Sequence, residues 1–420
     1  MQIKAPRGTS DILPGESGEW NAVERIMRQK AEQFGFREIR TPVFEHTELF
    51  QRGVGETTDI VSKEMYTFED RGGRSITLRP ENTASCVRAL VEHSIFTEAL
   101  PVKWFYIGSM FRYDRPQAGR LREFHQFGVE AFGSNSPYLD AEVITLMVEI
   151  IQALGIQDYE LHLNSIGCPT CRQHYREKLI EFFKPHEENL CKDCRERLYK
   201  NPLRILDCKV PTCQEQIKGF PIMADYLCDD CREHYAAVKK ALDINQVKYI
   251  QDDQLVRGLD YYTNTAFEIH LPAIGAQSAV GGGGRYNGLI QEIGGPDMPG
   301  IGFAMGLERL LLARDASGVE RETEKPLDVF VALQNPDYMP VALELLHLVR
   351  TSGFSAVKDY QDRSMKAQMK YAGKIGARTV IVIGEDEVKT GAYTVRNMAT
   401  GEQSRVAKEE LVQQLNRDLR

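Results

Sequence analysis

Apolar residues recur at helical spacing from Glu19 to Phe34, where Trp20, Val23, Ile26, Met27, Ala31 and Phe34 share one face. Gly35 ends that helix, and Arg37 to Phe44 reads as extended. Ser75 to Leu78, Val102 to Ile107 and Phe124 to Ala131 are predicted strands. Ala141 to Leu154 is a predicted helix, and Tyr159 to Asn164 alternates like a further strand. The pattern then breaks: closely spaced cysteines and Pro169, Pro185, Pro202, Pro211 and Pro221 mark an insertion. From about Asp253 the earlier style returns. Ala266 to His270 is a predicted strand, Gly281 to Gly284 a tight turn and Gly302 to Arg314 a helix. The charged run Glu320 to Lys325, closed by Pro326, predicts a linker. Beyond it, strands at Leu327 to Leu333, Phe354 to Lys358 and Thr379 to Ile383 alternate with helices at Val341 to Thr351 and Ser364 to Ile375. That order predicts a small α/β domain with mainly parallel strands. The expected division is 1–167, an insertion at 168–252, a return to the first block at 253–320, and a final domain at 326–420.

Composition narrows the class. A chain of 420 residues exceeds one ordinary core, and 42% hydrophobic with 27% charged residues suits a soluble globular protein. No run of about eighteen apolar residues occurs, so no membrane partner is expected. Met1 to Arg7 lacks the apolar stretch of a secretory signal, and a cytoplasmic chain is expected. The net charge of −8 does not exclude a nucleic-acid partner, because phosphate recognition depends on local clusters of Lys and Arg.

Eight of the nine cysteines lie between Cys168 and Cys231. In a cytosolic setting such a cluster reads as a metal site or as reduced thiols before disulfides. The pairs Cys168/Cys171 and Cys191/Cys194 are nineteen residues apart, a zinc-ribbon spacing, and are the first candidates for a structural Zn²⁺. Reduced structural thiols remain the alternative.

The sharpest chemistry lies in Phe111-Arg112-Tyr113-Asp114-Arg115-Pro116 and Gly119-Arg120-Leu121-Arg122-Glu123-Phe124-His125-Gln126. Two extended stretches flank a Gly/Pro loop, and four arginines suit a polyphosphate because guanidinium groups pair bidentately with phosphate oxygens. The Gly281 to Gly284 run lacks the Gly-Lys-Ser/Thr ending of a P-loop, so a turn bringing backbone close to a substrate is the plainer reading. Arg285 is expected to pack or pair near the pocket.

The arginine hairpin resembles motif 2 of the class II aminoacyl-tRNA synthetases. Gly306-Leu307-Glu308-Arg309 resembles motif 3, and Ile39-Arg40-Thr41-Pro42-Val43-Phe44-Glu45 resembles motif 1, whose proline lies at that family's dimer interface. Leu255 to Thr263 and Gly281 to Leu289 resemble the histidine-specific signatures of histidyl-tRNA synthetases, and Pro6-Arg7-Gly8-Thr9 and Thr77 to Thr83 follow the same pattern. One departure is Asn82, where many relatives carry Gly.

The resemblance implies an α+β fold: a catalytic core on an antiparallel sheet flanked by helices, an inserted Cys-rich domain and a C-terminal α/β anticodon-binding domain. It implies a histidine–tRNA ligase that uses ATP and Mg²⁺, acts on L-histidine and tRNA(His), and works as a homodimer. It places catalytic Arg112 on the α-phosphate, Arg120 and Arg309 on the rest of ATP, and catalytic Arg257 between the substrate carboxylate and the α-phosphate. Glu81, Thr83 and Gln126 would hold the α-amino and carboxylate end of histidine; Glu130 and Tyr262 would meet the imidazole, with Tyr261 beside them. Arg363, Lys366, Lys370 and Lys374 recur at helical spacing and suit an RNA backbone, with Met365, Met369 and Ala372 turned inward. A catalytically inactive paralogue, acting as a regulatory subunit in histidine biosynthesis, is the competing expectation.

Overall fold

A computed structural model describes residues 3–55, 58, 60–117, 119–256, 261–321 and 325–419. The chain divides into two compact units, Met1–Glu322 and Thr323–Arg420. The middle of the expected linker, 322–324, lies outside the described residues.

The first unit is built on an eight-stranded sheet. Its strands run, edge to edge, Arg37–Glu38, Val102–Phe111, Glu123–Phe132, Gly300–Gly306, Ala279–Arg285, Thr263–His270, Glu160–Ser165 and Ile250–Gln251. The five central pairings are antiparallel and the two outermost are parallel. Side chains alternate across the sheet. Phe127, Val129 and Ala131 therefore point into a core shared with the helices Ser17–Gln33, Pro137–Ala153 and Leu307–Ala316. Burying one such large apolar side chain contributes about 1.5–3 kcal/mol. Gln126, Gly128 and Glu130 take the opposite face.

Two glycine-rich segments depart from the sequence reading. Gly281 to Gly284 is no turn but the middle of a strand paired on both sides. Gly302 to Arg314 is likewise a strand to Gly306, with the helix beginning only at Leu307. Crowding explains both. A Cβ on Gly281 would meet Met305 Cγ at 2.5 Å, and one on Gly283 would meet Phe303 Cα at 2.7 Å. Glycine is used here for close backbone approach rather than for a bend.

The insertion leaves the sheet after Ser165 and comes back through the helix Asp229–Ile244. Between them, short helices surround a separate small core that includes Tyr175, Leu179, Phe183, Leu198, Ile205 and Ile217. Asp140, at the start of Pro137–Ala153, ties this return helix to the sheet: it accepts hydrogen bonds from His234 Nε2 (2.8 Å), Thr265 Oγ1 (2.6 Å) and Arg285 Nε (3.1 Å). Arg285 thus pairs, as expected, in a fully buried ion pair with Asp140.

The second unit has a five-stranded sheet ordered Ala356–Lys358, Val329–Leu333, Thr379–Ile383, Ala392–Asn397, Gln403–Ala407. Only the first two pairings are parallel. The last two are antiparallel, which corrects the expectation of mainly parallel strands. The missed hairpin has a physical cause: its first strand alternates only briefly, Tyr393 and Val395 buried between Thr394 and Arg396, and its second buries only Val406, so the period-two signal is weak.

Candidate active site

A cavity of about 430 Å³ opens on the Gln126 face of the large sheet. Arg112, Arg120 and Arg309 line one part of it, and Glu81, Thr83, Gln126, Tyr261 and Tyr262 another. Each comes from a place the local fold dictates. Arg112 follows the strand Val102–Phe111, and its Nε donates to Pro80 O (2.9 Å) while its guanidinium stacks over Phe124. Arg309 sits in the first turn of Leu307–Ala316 and donates to Gly119 O (3.1 Å) in the hairpin loop and to Ala279 O. Glu308 braces the same corner by accepting from the backbone N–H of His125 (2.9 Å) and meeting its Nδ1 at 3.0 Å.

The three guanidinium groups feel one another. Burial holds Arg309 below the ordinary arginine value, and Arg120 and Arg112 push it further down. Arg112 is lowered first by burial and then by Arg120, against the pull of Glu64 and Glu81. Arg120 is more exposed and also pairs with Asp114 at 3.0 Å. Like charges gathered in a partly dry pocket are unfavourable by themselves and become favourable around a polyanion.

The opposite part of the cavity is polar and buried. Glu81 accepts from the backbone N–H groups of Thr83 (2.7 Å) and Ala84 (2.9 Å) at the start of the helix Thr83–Glu92. Burial raises its carboxyl pKa, and those two N–H groups oppose the rise. Glu130 lies one layer deeper, accepting from Thr83 Oγ1 (2.7 Å) and the Tyr286 hydroxyl. Burial pushes Glu130 up to about 8. A Cβ on Gly302 would collide with the Glu130 carboxylate, so the glycine makes its room. Tyr261 and Tyr262 meet as a tilted pair with ring centres 4.7 Å apart, and Tyr261 meets Tyr286 edge-on at 5.6 Å. Gln126 Oε1 is buried with no hydrogen-bond partner among the described residues. An amide oxygen can only accept, so it calls for a donor from a ligand.

Of the residues singled out in the sequence, Arg257 lies outside the described residues. Asn82 is readily accommodated: its φ of −117° needs no glycine, and its side chain accepts from Thr41 Oγ1 (2.7 Å) and Arg79 (3.2 Å). Residues that sequence reasoning left without a role are Tyr286, Glu64, Glu268 and Arg204, all on the cavity wall. Only Tyr286 stood in a motif-like segment; the others carry no local signal.

On the second unit, Lys366, Lys370 and Lys374 are exposed on the helix Met365–Lys374, while Met365, Met369 and Ala372 pack inward. Arg363 departs from the stripe, pairing with Asp359 and stacking over Tyr371. The cysteines also correct the expectation. Cys168 and Cys171 gather with Cys228 and Cys231, and Cys191 and Cys194 with Cys208 and Cys213. The fifteen-residue helix Pro169–Phe183, about 22 Å long, carries the chain away from the first pair, so its partner comes from the returning segment.

With this geometry fixed, comparison with known proteins is decisive. The family profile described as Histidyl-tRNA synthetase matches residues 8–169 and 213–310. The chain belongs to the histidyl-tRNA synthetase family. An anticodon binding domain profile matches residues 328–418. A histidine–tRNA ligase of Syntrophomonas wolfei is 62% identical over 98% of both chains, and one of Pelotomaculum thermopropionicum is 56% identical over 99% of this chain and 98% of its own. The crystal structure of apo S. aureus histidyl-tRNA synthetase, 40% identical, aligns with a TM-score of 0.84 over 99% of this chain and 100% of its own. The fold expected for the family, an antiparallel core sheet flanked by helices, is the one observed.

Proposed function

We propose that this chain is a histidine–tRNA ligase acting in the cytoplasm. The observation that carries the reading is one cavity with three converging guanidinium groups beside a buried polar slot. A carboxylate oxygen of histidine attacks the α-phosphorus of ATP; the bond to the bridging oxygen breaks and pyrophosphate leaves. The 3′-hydroxyl of the terminal adenosine of tRNA(His) then attacks the activated carbonyl, releasing AMP.

Both reactants of the first step are anions, and fixed cations answer that repulsion. Arg112 acts at the α-phosphate, Arg309 and Arg120 along the β- and γ-phosphates, and Arg257 between carboxylate and phosphate. Mg²⁺ supplies further neutralisation of the phosphates; Glu64 beside Arg112 and Glu268 beside Arg309 offer the oxygen donors it prefers. Gln126 Oε1 and Glu81 accept from the substrate ammonium, with Thr83 fixing the Glu81 and Glu130 carboxylates around it. Glu130 and Tyr262 read the imidazole, and Tyr261 closes the slot. Lys366, Lys370 and Lys374, with Arg363 at their margin, face the tRNA backbone.

A homodimer belongs to this reading. Beside Pro42 of the motif 1 segment, Val43 and Phe44 are 44% and 56% exposed, an apolar surface that a second copy would cover. The competing reading, an inactive regulatory paralogue, is disfavoured by the three arginines on the cavity and by the C-terminal unit.

Histidine-dependent ATP–pyrophosphate exchange tests the reading. Wild-type protein should exchange with histidine alone among the amino acids, and Arg257→Ala should lose about 10²–10³-fold in kcat with folding intact. Absence of exchange in wild-type protein would favour the regulatory subunit, and exchange with another amino acid a different ligase.

A further inference from the structure

Ligation chemistry leaves the eight cysteines of the insertion unused. In the fold they sort without remainder into two groups of four, Cys168, Cys171, Cys228 and Cys231, and Cys191, Cys194, Cys208 and Cys213. Within each group all four sulfurs lie within 4.8 Å of one another. Representative separations are 3.5 Å for Cys168–Cys171 and 3.9 Å for Cys191–Cys208. Four sulfurs bound tetrahedrally at about 2.3 Å stand about 3.8 Å apart. A disulfide needs about 2.05 Å, and the cysteines are free thiols.

The local sequence builds these groups. In each of three Cys-x-x-Cys pairs the first cysteine immediately precedes a helix and the second sits in its first turn: Cys168 before Pro169–Phe183, Cys191 before Lys192–Lys200, Cys228 before Asp229–Ile244. Helix N-termini favour thiolate over thiol. Backbone N–H groups also reach sulfurs across each group, Cys228 N to Cys171 Sγ and Cys191 N to Cys213 Sγ, both at 3.1 Å. Such bonds strengthen when the acceptor is charged.

We propose that each group holds one Zn²⁺ as a closed, four-thiolate structural site, two per chain. Soft sulfur donors in tetrahedral array select zinc over hard cations, and four protein ligands leave no open position for catalysis. The first site closes the neck of the insertion. Its cysteines stand where the chain leaves the sheet and where it starts back, and Asn264 of the neighbouring strand reaches Cys231 Sγ at 3.5 Å. The adjacent Arg172 donates to the carbonyl of Tyr262 at 2.9 Å, so the neck abuts the imidazole side of the cavity. The second site lies within the outer part and substitutes for core that so small a segment cannot bury.

Metal analysis of the full chain, purified without chelator, should give two zinc per chain. Protein produced with Co²⁺ should show thiolate-to-metal charge transfer and tetrahedral d–d bands. Cys228→Ser and Cys208→Ser should each lose one equivalent and keep the other. A site built from Cys168, Cys171, Cys191 and Cys194 would instead leave both variants at wild-type metal content, which would overturn the assignment. So would a ratio near zero, a single zinc, or stoichiometric iron. Should the variants fail to fold, the wild-type count and the cobalt spectrum still decide. Metal counting needs neither histidine nor ATP, so its failure leaves the ligase reading standing.

Discussion

Glu130 shows how far one side chain can be read. Its spacing from Gln126 on a period-two strand put both on one face, and the fold keeps them there, Glu130 opposite Trp104 and Gly302. Its depth and its partner Tyr286 were not legible, because a hydrogen bond across 156 positions leaves no local trace. The pKa of about 8 has a consequence for stability. The folded state holds the Glu130 proton more tightly than the unfolded chain, whose carboxyl titrates near 4.5. This contribution is therefore full below about pH 4.5 and is lost as pH rises through about 8. Glu130→Gln should flatten the fall in melting temperature across that window; an unchanged slope would refute the linkage. The same variant should lose about ten- to a hundredfold in kcat/KM for histidine, the cost of leaving one buried polar group badly paired.

At the scale of elements, long periodic segments were read well and glycine-rich ones badly. The helix over 19–34 and the strands at 75–78 and 379–383 emerged nearly as expected, since their periodicity is set by the core they face. The run Gly281 to Gly284 has no side chains to carry a period, so its strand was invisible; only its register against Gly302 to Met305 reveals backbones too close for side chains. Gly283→Ala should accordingly destabilise by about 1–3 kcal/mol or more, seen as a lowered melting temperature. A neutral effect would mean the strands can move apart. The helix Met365–Lys374 was legible on both faces, though Arg363 is drawn off its stripe by Asp359, which precedes the helix and shares none of its period. Reversing Lys370 and Lys374 to Glu should weaken tRNA binding and reduce its dependence on salt. Exchange without tRNA should stay at the wild-type rate.

For the whole molecule, the order of motifs gave the family, while the pairing of distant parts needed coordinates. Cysteine spacing pointed to metal but linked the wrong pairs, since spacing cannot say which segment returns to meet which. Assembly belongs to this scale too. Phe44→Asp should shift the mass measured by light scattering from two chains to one, with exchange activity falling alongside; a wild-type protein already monomeric would refute the dimer.

The insertion has one more consequence, set by where its ends lie. The returning strand Ile250–Gln251 pairs directly beside the departing one, His162 opposite Ile250. For a flexible chain, the entropy of joining two points rises only with the logarithm of the length between them, about 0.6 kcal/mol for each doubling. The excursion can therefore lengthen or shrink considerably over evolutionary time while the strand order of the catalytic sheet feels almost none of it.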